Sequence, residues 1–139
     1  MSVRSDSMPL PTLEKAITQN GITDYAHASG DHNPLHLDPE FASSTRFGGI
    51  IAHGMLTLAY ISEMMTLAFG RSWLEGGRLK VRFKGAAYPG DTVRTWGRVV
   101  KDESDSGSRL IECAIGLSNS RGEELITGVA TITQSAYGG

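Results

Sequence analysis

Cysteine is nearly absent from this chain. Cys113 is the only one in 139 residues, which excludes an internal disulfide and a cysteine-rich metal site. Its setting, Ile111-Glu112-Cys113-Ala114-Ile115, predicts a buried strand position and a core thiol. Long apolar runs are missing too. No segment approaches the ~18 apolar residues of a membrane span, and Met1 to Pro11 has no apolar stretch of signal-peptide length, so a cytoplasmic, non-membrane protein is expected. Lys and Arg form no run, and the net charge of −2 with a pI near 6.1 supplies no electrostatic footprint for nucleic acid. Internal repeats, low-complexity segments and dividing linkers are likewise lacking. The expectation is one domain over residues 1–139, with 1–11 loosely ordered.

What is present has two periodicities. Leu79, Val81 and Phe83 alternate with Lys80, Arg82 and Lys84, and Ile111, Cys113, Ile115 and Leu117 alternate with more polar neighbours, the signature of half-buried strands. Turn-forming stretches at Tyr88-Pro89-Gly90-Asp91, 103–108 and 119–123 separate such strands with no room for helical crossovers, so the sheet should be antiparallel. Met55 to Phe69 is apolar on nearly every face and stops at Gly70, which predicts a long buried helix. Thr18 is a good N-cap for a short helix over Ile22, Tyr25 and Ala26, ending at Gly30. Asp38-Pro39 predicts a second, brief helix through Phe41 and Ala42. The pieces describe an α+β fold: one long helix wrapped by an antiparallel sheet of about five strands.

The most informative stretch is Ser29-Gly30-Asp31-His32-Asn33-Pro34-Leu35-His36. It holds a carboxylate and an imidazole apart across an Asn-Pro pair. Pro34 turns Asn33 away from helical geometry, so Asp31 and His36 are expected on an extended or turning segment rather than a helix face. There they can converge on one small reactant as an acid/base pair.

With Phe47-Gly48-Gly49-Ile50-Ile51-Ala52-His53-Gly54-Met55 following closely, the pattern resembles the hydratase-2 motif of the MaoC-like, (R)-specific enoyl-CoA hydratases. The resemblance implies a single hotdog fold, in agreement with the strand and helix reading, and a homodimer whose sheets join edge to edge. It implies (R)-specific hydration of a (2E)-enoyl thioester of coenzyme A or acyl-carrier protein, or the reverse dehydration, without a cofactor. Asp31 and His36 carry over as the catalytic dyad. The backbone N–H of Gly54, at the start of the buried helix, carries over as the oxyanion donor. Ser62 matches a polar position beside the substrate, and Asn33 belongs to the substrate side chiefly as a loop organiser.

Plainer readings stand beside these. An Asp after Gly is most often a turn former and a lone His most often a surface or core residue, so the joint pattern, not either residue alone, carries the dyad. His53 is expected to pack or hydrogen-bond at the helix entry, with His27 and His32 solvated. The His and Asp residues between His27 and His53 fit no zinc-binding spacing, so no metal is expected. Lys80, Arg82 and Lys84 lie on one face of a strand and could meet coenzyme A phosphates, but such a stripe is usually the solvated face of a sheet, and that is the default reading. Two other functions use the same fold: an acyl-CoA thioesterase, in which water attacks the carbonyl carbon, and a non-catalytic acyl-thioester-binding subunit of a larger dehydratase.

Overall fold

Both periodicities find their elements in the structure, a computed structural model in which residues 8–135 are described. The elements run β1 (Glu14–Ala16), α1 (Gln19–Ser29), α2 (Pro34–Leu37), α3 (Pro39–Ser43), α4 (Gly54–Phe69), α5 (Arg71–Gly76), β2 (Gly77–Phe83), β3 (Thr92–Asp105), β4 (Ser108–Asn119) and β5 (Glu124–Ser135). The strands form a five-stranded sheet in the order β1-β3-β4-β5-β2, with every neighbouring pair antiparallel. This is the α+β architecture expected, a long helix against one sheet.

Local chemistry sets the boundaries. The Thr18 hydroxyl accepts the Gly21 N–H at 2.9 Å to open α1, and Gly30 closes it with φ 80°, a conformation that costs glycine little. Asp38 Oδ1 accepts the N–H groups of Glu40 and Phe41 to open α3, with Pro39 at its first position. The expected turn over 103–108 is tighter than the sequence suggests. β3 runs on to Asp105 and β4 begins at Ser108, so only Ser106 and Gly107, both with positive φ, make the connection.

The core lies between one stripe of α4 and the inner face of the sheet. Thr57, Ile61, Met64 and Met65 are the buried residues of α4, at helical spacing, and meet a layer that includes Val93, Ile115, Leu117, Ile126 and Ile132. Cys113 is fully buried among them, and burial pushes its thiol up to about 11. Gly97 lets the layers approach, since a Cβ there would lie 3.0 Å from Met64 Cε.

Three expectations are corrected. The helix α4 is not buried all round: Met55 and Leu67 are each 60% exposed, because a single sheet covers only one stripe of it. His36 does sit on a helix, the one-turn α2. Pro34 keeps Asn33 extended (ψ 129°) but itself occupies the first helical position, where a missing N–H costs nothing. Residues 8–11 are tied down: Leu10 N–H donates to the Gly97 carbonyl at 2.8 Å and Val99 N–H to the Met8 carbonyl at 2.9 Å. Residues 1–7 of the segment expected to be loose lie outside the described residues. The short elements β1 and α5 were not anticipated. β1 pairs with the start of β3, and α5 packs on β5 and β2. Among the described residues no helix is long and apolar enough to cross a membrane.

Candidate active site

Three short segments converge at the N-terminus of α4. The loop after α1 delivers Asp31, the one-turn α2 delivers His36, and the strand-like segment 51–53 delivers His53 as the residue preceding α4. One ligand-type atom from each of Asp31, His36 and His53 lies within 4.8 Å of the other two. Asp31 and His36, chosen from the sequence as a pair, are therefore brought together.

Each side chain has a local reason for its place. Asp31 Oδ1 accepts the Asn33 N–H at 3.2 Å, while the Asp31 N–H donates to the Ser29 hydroxyl at 3.2 Å, a turn that leaves the carboxylate at the exposed surface. Asn33 Oδ1 accepts the Leu35 N–H at 2.9 Å and so caps α2. That makes it the loop organiser expected. His36 is buried, and its Nδ1 lies 2.7 Å from the Ile51 carbonyl. A carbonyl can only accept, so Nδ1 carries a proton, and in the neutral ring the lone pair a general base requires falls on Nε2.

His53 is the residue whose part in the site the sequence did not reveal. Its ring stacks on that of His36 with centroids 3.8 Å apart and an interplanar angle of 25°. Its Nε2 donates to the main-chain carbonyl of Asp31 at 3.1 Å, and the Tyr25 ring closes the other side at 4.8 Å. Burial pushes its pKa below the ordinary imidazole range, opposed in part by the bond to Asp31. Its Nδ1 is buried with no hydrogen-bond partner among the described residues, so the ring is neutral with its proton on Nε2. The placement immediately before the helix was visible in the sequence, but the stacking depends on α2, whose helical turn was not. His27 and His32 are exposed, as expected.

Along the 51–54 segment lies a cavity of about 440 Å³. Ile51, Ala52, Gly54 and Thr57 form one wall, with Phe83, Lys84 and Arg46 around it; Asp31 and His36 do not line it. The dyad and the cavity thus share one strip of backbone. Gly54 is the first residue of α4, His53 makes no side-chain cap, and the Gly54 N–H has no partner among the described residues, so it is available to an incoming oxygen. Phe83 is half exposed, and its ring stands 3.1 Å from where a Cβ on Gly54 would be. Arg46 and Lys84, both exposed, add positive charge at this rim. Lys84 was read from the sequence as part of a solvated stripe, and no local pattern brings it to Gly54. The structure places Ser62 elsewhere: two turns along α4, its Oγ accepts the Trp73 indole N–H at 2.9 Å and faces α5.

Comparison with known proteins bears on the family and the fold. The family model described as MaoC like domain matches residues 4–120. The 3-hydroxyacyl-thioester dehydratase Z of Mycobacterium tuberculosis is 35% identical over 103 residues, which cover 71% of this chain and 68% of that protein. The 3-hydroxybutyryl-CoA dehydratase of Methylorubrum extorquens is 42% identical over a shorter 53 residues, 38% of this chain and 34% of that one. Among solved structures, the (R)-hydratase from A. caviae involved in PHA biosynthesis superposes with a TM-score of 0.79 at 25% identity, covering 97% of this chain and 99% of that one. The family match spans well over half of the sequence and the fold superposes nearly end to end, so the chain belongs to the MaoC-like dehydratase family, with its hotdog fold.

Proposed function

We propose that this chain is a hydro-lyase that adds water to a (2E)-enoyl thioester to give the (R)-3-hydroxyacyl thioester, or catalyses the reverse dehydration. The observation that carries the proposal is the convergence of Asp31 and His36 within 4.8 Å, with His36 bonded to Ile51 three residues before the helix-terminal N–H of Gly54, which has no partner among the described residues. Hydration makes three demands: water must lose a proton as its oxygen bonds to Cβ, Cα must gain one, and the thioester oxygen carries transient negative charge. His36 Nε2 and the Asp31 carboxylate meet the two proton transfers. Such positioned acid/base groups contribute about 10²–10⁴ in rate. The Gly54 N–H, at the positive end of α4, meets the third.

The carrier is coenzyme A or acyl-carrier protein. Arg46 and Lys84 at the rim of the cavity suit a carrier phosphate, which both have in common. The working unit is a homodimer. β2 is an edge strand, paired with β5 on one side only, and Met55 and Phe83 leave apolar surface exposed beside it. A second copy joined at that edge covers both.

Incubation with crotonyl-CoA tests the proposal. A hydratase removes the conjugated enone without releasing free thiol, and its product is oxidised only by an (R)-specific 3-hydroxyacyl-CoA dehydrogenase. Thiol release matching enone loss would make the protein a thioesterase, and neither change would leave it a binding subunit.

A further inference from the structure

We infer that His53 is a positioning residue for the dyad, holding the His36 ring plane and the Asp31 loop in register through one side chain. The inference rests on the hydratase reading above. His53 joins the two halves of the site by contacts of different kinds: its ring face lies on His36 at 3.8 Å between centroids, while its edge donates from Nε2 to the Asp31 carbonyl at 3.1 Å. It is itself 2% exposed and fixed at the entry to α4, with Tyr25 of α1 against its other side. Asp31, by contrast, sits on an exposed loop, and α2 is a single turn. The Ile51 carbonyl fixes one edge of the His36 ring at 2.7 Å, and the stacked His53 face holds the plane in which that bond forms. A base and an acid misplaced by about 1 Å lose about a hundredfold in rate, which is what such a brace prevents. The role inferred for His53 is positioning and not reaction. Its one free nitrogen, Nδ1, is buried, so it works only through its neighbours.

Three variants separate the two contacts. His53→Phe keeps the flat ring and loses the donor; His53→Gln keeps a donor and loses the ring; His53→Ala loses both. With crotonyl-CoA, His53→Ala should lower kcat by about tenfold to a hundredfold with KM within about threefold, and the Phe and Gln variants should each recover part of the loss. In a His36→Gln background the same His53→Ala change should cost less than about threefold, because the group it positions is gone. A readout independent of turnover is the ¹⁵N imidazole spectrum. His36 should read as the Nδ1–H tautomer in the native protein and as a mixture of tautomers in folded His53→Ala. Unchanged kcat in folded His53→Phe and His53→Gln, an undiminished loss in the His36→Gln background, or an unaltered His36 spectrum would each overturn the inference. If the native protein hydrates no enoyl thioester, the hydratase reading fails, and the spectrum still decides whether His53 orders the His36 ring.

Discussion

The Ile51 carbonyl receives the Nδ1 proton of His36 at 2.7 Å, and this one bond decides which nitrogen of the ring is left for chemistry. That leaves Nε2 of the neutral ring for proton transfer, and the segment that fixes the tautomer ends at the Gly54 N–H. Replacing His36 by Gln, or Asp31 by Asn, preserves size and removes proton transfer. Each should reduce kcat for crotonyl-CoA hydration by ~10²–10⁴, and the double variant should be little worse than the poorer single one, since both groups act on one water. Loss of enone absorbance, on variants with the native circular dichroism spectrum, measures this.

Gly54→Ala separates stability from catalysis. Alanine suits a helix start better than glycine does, and the Cβ meets only the Phe83 ring, at 3.1 Å, which need give by only a few tenths of an ångström. Unfolding free energy should change by less than about 1 kcal/mol. The same methyl group crowds the approach to the N–H, and kcat should drop by about tenfold or more. Urea denaturation and initial rates on the same preparation test both halves.

For Ser62→Ala the expectation runs the other way. The Trp73 indole N–H, in a residue only 7% exposed, loses its acceptor, which should cost about 1–3 kcal/mol of stability. KM and kcat for crotonyl-CoA should stay near the native values, because the hydroxyl is turned toward α5. A raised KM with unchanged stability would return Ser62 to the substrate side.

The buried, neutral His53 links folding to pH. Its folded pKa lies below the ordinary 6.5, so above 6.5 both folded and unfolded chains carry it neutral. As the pH falls below 6.5 the unfolded chain binds the proton first, and stability declines until the lower folded value is passed. The groups facing it are His36, Asp31, His32 and Tyr25. His53→Gln should flatten the acid limb of a plot of unfolding free energy against pH.

The parts of the fold that local chemistry determines were legible in the sequence. Thr18, Asp38-Pro39, Gly30 and Gly70 all mark helix ends as read, and the period-two runs at 79–83 and 111–117 lie in antiparallel strands. What was not legible depends on partners distant in the chain. β1 is three residues held by β3, and α5 is six residues between two glycines, without a periodicity of its own. At the site, Asp31 and His36 followed from their shared motif. The α2 turn under His36 was missed because the restriction Pro34 places on Asn33 was extended to the residues after it. Phe83 and Lys84 reach Gly54 through the register of β2 against β5, and Arg46 through the segment between α3 and α4, which no local pattern states.

The lone thiol has a practical consequence at the bench. Cys113 is sealed in the sheet and protonated well past the mildly alkaline range in which aromatic disulfide reagents are used. The folded enzyme should therefore be silent to such a reagent, and any yellow colour that develops during turnover reports the carrier's sulfur alone. The protein can also be stored without a reducing agent, and any oligomer that survives non-reducing electrophoresis is not held by a disulfide.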